Sequence, residues 1–257
     1  MGFTLNIIIS QPLNFLGFAR CNIPSENAFL WSREVETLFA HDVSLDTVLS
    51  EVPPHIKEEL APYKESFIKE WPSMCHKLET FKDNITTLWK CNSEKIFSIM
   101  DRLGLLYIEP ITVFPVMPFF RDWPRSTPLS MPIQYTSNQK LLELLIHEIL
   151  HRTTEVHHPQ SLWQYLSMVF LMKNITKKDR FLIQHAVIYV AASWITSVTL
   201  KKDFTVPQFE KEFSEKEKLL KITWYTHAVF YIFSSGVEGN LMKLAEDIVT
   251  SCRAFQQ

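Results

Sequence analysis

The chain has 257 residues, 46% of them apolar and 21% charged, the balance of a folded globular protein long enough to bury a sizeable core. Its 26 basic and 28 acidic residues leave a formal net charge of -2, which gives no electrostatic reason to expect a nucleic-acid partner. Glycine is scarce, at 5 against 14 prolines, and neither GxGxxG nor GxxxxGK[ST] occurs, which argues against a turn-rich all-β fold and against a phosphate-cradling loop. Cys21, Cys75, Cys91 and Cys252 are widely spread and show no CxxC spacing, which speaks against a disulfide framework and against a thiolate zinc site. Residues 1–10 carry neither a basic n-region nor a small-residue cleavage site, and Asn6 stands where myristoylation asks for Ser or Thr, so the expected compartment is the cytoplasm.

In chain order, residues 4–9 form a short β-prone run. From 25 to about 103 the pattern is helical and amphipathic, with breaks expected at Pro53-Pro54, Pro62 and Pro72. The clearest helix there spans 73–88, where Met74, Leu78, Phe81, Ile85 and Leu88 recur at helical spacing. Residues 105–117 and 129–135 read as strands, and their prolines at 110, 115, 128 and 132 place them at edges, bulges or strand ends. A helix over 136–153 follows, with Thr136 and Gln139 in the form of a capping box. Further helices are expected from Pro159 to about Met172, from Thr176 to Leu200, and over 206–220, 221–233 and 237–255. The alternating charges of 210–221 read as a solvated helix face. The fold class is α+β: a predominantly helical single domain, 1–257, with a helical part to 104, a central part over 105–200 that holds the small sheet, and a helical part from 201.

Residues 181–200 carry no formal charge and have about the length that spans a bilayer. Gln184, His185, Ser193, Thr196, Ser197 and Thr199 lie within the run and Lys177, Lys178, Arg180, Lys201 and Lys202 flank it, which points to a buried core helix, with a membrane span the lesser reading.

The chemistry concentrates at His147-Glu148-Ile149-Leu150-His151. Two His residues four apart sit one turn apart on one helical face, close enough to hold a single metal ion, and zinc suits imidazole ligands. Glu148 projects about 100 degrees round the helix, where its carboxylate reaches a water on that metal and not the metal itself. Leu141, Leu142, Leu144, Leu145, Ile146, Ile149 and Leu150 make the helix apolar almost all round, and two His and a Glu within a buried helix need partners. Against this stands a chance HExxH in a chain with 9 His, and an ordinary ion pair between Glu148 and Arg152.

The stretch resembles the zincin superfamily of metallopeptidases, in which such a helix follows a small sheet whose edge strand holds the substrate backbone. The resemblance makes His147 and His151 ligands, Glu148 the general base, residues 129–135 the edge strand, Zn2+ the cofactor and a peptide or protein the substrate. Two residues compete for the third ligand. His157 completes a pattern similar to that of the metzincins, HExxHxxGxxH, with Thr154 in place of the Gly that permits a sharp turn. His185, on the next long helix but one, is favoured: it resembles the gluzincin arrangement, which normally uses Glu, and it sits in the most apolar stretch of the chain. Tyr189, one turn beyond, reads as core packing or as a group that polarises a carbonyl. His158, Glu155, His227 and Glu238 are weaker candidates, and Trp163, Tyr165, Trp194, Trp224 and Tyr225 read as core. Two other readings stay open: a helical interaction or structural protein without metal, and a membrane-associated metalloprotease using residues 181–200.

Overall fold

The computed structural model describes residues 4–23, 30, 32–105, 109–118, 125–126, 128–135, 137–155, 160–207, 216–236 and 240–254, with the backbone alone at 125–126, 155 and 216–217. The protein is mostly helical with one small sheet, so the α+β class holds at that level. By contacts it divides into two compact units: Phe3–Cys91 with Glu109–Leu141, and Met1–Gly2 with Asn92–Ile108 and Leu142–Gln257. Two of the boundaries, 91/92 and 141/142, fall inside helices.

The first unit holds the sheet. Strands β1 (Leu5–Ile7), β2 (Ile111–Val116) and β4 (Leu129–Pro132) run parallel, and the two-residue β3 (Arg125–Ser126) lies antiparallel to β4, giving the order β1-β2-β4-β3. The strand expected at the edge, β4, therefore lies inside, because Arg125 and Ser126 pair with Ser130 and Leu129 on its outer side. Nor is β2 an edge strand, although it contains Pro115. Its first half pairs with β1 and its second half with β4, and Val113, Pro115 and Met117 share the side that faces β1. Past Val113 no strand remains on that side, and the carboxamide of the buried Asn14 takes its place: Nδ2 donates to the Pro115 carbonyl at 3.2 Å and Oδ1 accepts from the Met117 N–H at 2.9 Å. Proline is tolerated at 115 because, among the described residues, no strand pairs with β2 at that position on the β1 side to take a backbone N–H.

Among the described residues four α-helices precede the long one: α1 (Gln11–Arg20), α2 (Arg33–Phe39), α3 (Leu45–Glu51) and α4 (Pro54–Leu60). Ser10, Ser32 and Ser44 cap the first three, each side-chain oxygen accepting a backbone N–H three residues on, while Pro54 supplies the pre-set φ that opens the fourth. Their apolar faces form a core with Leu13, Phe15, Phe39, Leu60 and Phe67, in which the Phe15 and Phe67 rings meet edge-on at 5.2 Å. Inside it lies a charge pair. Arg20 Nη1 donates to Glu36 Oε1 at 2.8 Å, Arg20 Nη2 donates to the Leu30 carbonyl, and both side chains are buried. Replacing Glu36 with Ala strands the guanidinium away from water and is expected to cost about 3–5 kcal/mol in urea unfolding, whereas replacing both partners with apolar residues recovers most of it. Equal losses in the single and double variants would contradict this account.

Helix α5 (Lys64–Arg102) runs 39 residues and continues through Pro72, where the sequence predicts a break. Proline there frees the carbonyl of Ile68, a residue 49% exposed at the surface, where such a break is least costly, and the helix continues.

The second unit is helical beyond the end of α5: most of α6 (Asn138–Glu155), then α7 (Leu162–Met172), α8 (Lys177–Leu200), α9 (Lys216–Ser234) and α10 (Leu241–Ala254). Thr136 lies outside the described residues. Helix α6 starts at Asn138, and Ser137 provides the cap, accepting from Lys140 N at 3.5 Å. The break expected between 220 and 221 is absent, because α9 passes through it, and residues 201–207 are not helical. Helix α8 is long and apolar enough to cross a membrane by length and composition, and 67% of its most apolar window is buried within the protein.

Thr176 caps α8, accepting from Asp179 N at 3.1 Å. Burial pushes the Asp179 carboxyl up, but hydrogen bonds from Thr176 Oγ1 at 2.7 Å and Tyr225 Oη at 3.0 Å, with the Lys221 ammonium at 3.5 Å, outweigh it and hold the group below its ordinary value. A depressed carboxyl stabilises the fold above its unfolded-state value of about 3.9, and that stabilisation fades as pH falls below it. The stability advantage of the wild type over Asp179→Asn is therefore expected in full at neutral pH and to shrink in acid, measured by urea unfolding across that range. An advantage that grew in acid would reverse the assignment.

Candidate metal centre

The motif lies in the middle of α6, within the second unit, where its apolar neighbours fix its burial. Leu142, Leu145, Ile146, Ile149 and Leu150 are fully buried, and His147 and Glu148 are 4% and 6% exposed. His151, one turn on, is half-buried. The helical repeat brings the two imidazoles together with Nε2 of His147 and Nε2 of His151 3.1 Å apart. Glu148 Oε1 stands 4.0 Å from His147 Nε2, too far for a hydrogen bond and near the nitrogen at which a ligand would be held.

Helix α8 lays a second row of rings beside the first. His185 faces His151 with centroids 4.9 Å apart, and Tyr189 faces His147 at 4.3 Å. Since 147 pairs with 189 and 151 with 185, α6 and α8 run antiparallel here. His185 Nδ1 lies 3.2 Å from the Phe181 carbonyl, one turn back, and the Phe181 ring lies against the His185 ring at 4.2 Å. A carbonyl only accepts, so Nδ1 carries the proton and Nε2 keeps its lone pair, the tautomer that a metal-ligating imidazole adopts.

Burial, and then the neighbouring His185, push the His151 imidazole down to about 3. Burial also lowers His185, opposed by its bond to Phe181. Both rings are therefore neutral at pH 7, the form with an electron pair to give.

Nε2 atoms of two imidazoles on a tetrahedral zinc, each at about 2.0–2.1 Å, stand about 3.3 Å apart, so the His147–His151 spacing fits such an ion. The third donor is less complete. Among the described residues no three His, Cys, Asp or Glu side chains stand close enough together to enclose a metal ion. His185 is the third imidazole beside the pair. His157, His158 and Glu238 lie outside the described residues, as does the side chain of Glu155. At Thr154 the chain is still helical, and the Thr154 hydroxyl donates to the His151 carbonyl at 2.7 Å, so the sharp positive-φ turn of the metzincin pattern is not made at that residue. His227 is exposed on α9.

Two supports were not read from the sequence. Phe181 orients His185 through both backbone and ring, and its spacing of four residues was the available signal. Trp163, read as core, is buried, and its indole also donates to Thr153 Oγ1 at 2.7 Å, which itself donates to the Leu150 carbonyl at 2.7 Å and so ties α7 to the last turns of α6. Comparisons with protein-family models, with curated proteins and with solved structures each return no match for this chain.

Proposed function

We propose that this protein is a zinc-dependent hydrolase of zincin-like arrangement that acts on peptide bonds, with His147, His151 and His185 as ligands and Glu148 as general base. The observation that carries the reading is the 3.1 Å approach of two Nε2 atoms on a buried helix, beside a third imidazole whose Nδ1 proton is already committed. Completing the ligand set requires a side-chain movement of the half-buried His185 toward the pair.

Zinc bound there supplies a Lewis acid that polarises a carbonyl oxygen and acidifies water. The rest falls to the chain. Glu148, buried and next to His147, accepts the proton of the attacking water on its carboxylate and passes it to the leaving nitrogen as the C–N bond breaks. Phe181 and His151 flank His185, and the apolar face of α6 excludes bulk water from the carboxylate. The assignment to peptide bonds rests on the HExxH resemblance.

The competing reading is a metal-free helical protein in which one imidazole N–H donates to the other across the same 3.1 Å. The lack of a closed three-donor group among the described residues favours it. Metal analysis of protein purified without added zinc separates the two. Near one equivalent supports the hydrolase, and less than about 0.2 equivalents, with no binding on titration, supports the metal-free protein.

A further inference from the structure

We propose that the corner where α7 turns into α8 is a docking surface for an anionic lipid bilayer. Leu171 and Met172 close α7 with 64% and 57% of their surface exposed, and Phe181, in the second turn of α8, is 52% exposed. Single apolar side chains on a surface need no explanation, but two consecutive large ones closing one helix, with a third in the second turn of the next, concentrate apolar surface at this corner.

Cations surround the patch. Lys173 and Lys177 are exposed, and so is Arg253 at the end of α10, whose Nη1 reaches the Lys173 carbonyl at 3.5 Å. Among the described residues none of these three stands within ion-pair distance of a carboxylate. The acid in the connecting segment's first helical turn, Asp179, is buried and held by Thr176, Tyr225 and Lys221, so its charge is turned inward.

The corner is also ordered in advance. Lys173 N and Ile175 N each donate to α7 carbonyls at 2.9 Å, and Arg180 Nε donates to the Ile175 carbonyl at 2.8 Å. Exposed apolar side chains beside ammonium and guanidinium groups match the boundary between headgroups and acyl chains, where the carbon chains enter lipid and the charges meet phosphate. Protein interfaces, by contrast, are depleted in lysine. Because α8 is committed to the core over most of its length, the contact is peripheral rather than spanning. The corner shares Phe181 with the metal reading, where that residue orients His185, but the test below changes only Leu171, Met172, Lys173 and Lys177, so the two readings fail separately.

The test is co-sedimentation of the full chain with vesicles of phosphatidylcholine alone and with phosphatidylserine added. Binding is expected only to the anionic vesicles and to weaken with salt. The pairs Lys173→Glu with Lys177→Glu, and Leu171→Ser with Met172→Ser, are each expected to weaken it by roughly tenfold or more, with folding checked by circular dichroism. All four sites are exposed, so the variants are expected to fold. The proposal is overturned if wild type ignores anionic vesicles, if either folded pair binds as wild type does, or if neutral vesicles bind equally well. It is also overturned if sedimentation velocity without lipid shows a dimer that the Leu171/Met172 pair abolishes, which assigns the face to a second copy of the chain.

Discussion

Glu148→Gln protein is expected to keep its zinc and to lose hydrolysis by roughly 10²–10⁴-fold, the usual contribution of a positioned proton-transfer group. The amide is nearly isosteric with the carboxylate and occupies the same buried space, so the fold and the imidazole pair are undisturbed, while the capacity to take a proton is gone. Zinc content by atomic absorption and peptide turnover, measured on the same preparation, give the two readouts. Loss of zinc together with activity would make Glu148 a structural or ligating group. Retained activity would remove it from the chemistry altogether.

The second large effect concerns the third ligand. His185→Ala is expected to weaken zinc by more than roughly 100-fold, as His151→Ala does, because loss of an outer-shell partner alone commonly costs 10–100-fold. His157→Ala is expected to leave the affinity unchanged. Both follow from titration with a chromophoric chelator, and circular dichroism separates loss of metal from loss of fold. The opposite pattern, with His157 essential and His185 dispensable, would move the arrangement toward the metzincin type despite the helical backbone at Thr154.

Which of these features the sequence made legible follows from how far apart the cooperating residues lie. Helix α8 was readable end to end, since Thr176 marks its cap, an uncharged run fills it and lysines flank it, all local signals. The pairing of His147 with His151 was equally local, a matter of helical pitch. Pro72 misled because the cost of proline depends on whether the freed carbonyl meets water, which its neighbours in sequence do not reveal. The charge run of 210–221 reads as a solvated helix face, yet its last residue, Lys221, turns toward Asp179, 42 positions away, and its residues 210–215 lie outside the described residues. The place of β4 inside the sheet was hidden for a similar reason, since it depends on two residues, Arg125 and Ser126, too few to carry a strand pattern. At the site, the presence of His185 beside His151 rests on two helices packing antiparallel, and its tautomer on a carbonyl one turn back, neither of which composition or spacing expresses.

Asn14 carries a consequence for how the protein is made. Its two long-range bonds join residues 101 and 103 positions apart, and they satisfy polar groups that no described strand reaches. The first helix of the chain is thus completed by one of the later strands, and until that strand has left the ribosome the asparagine has nothing to bind there. Closing so long a loop is paid in chain entropy before any bond forms, so the joining of α1 to β2, unlike its packing against α2 and α3, waits for the later strand.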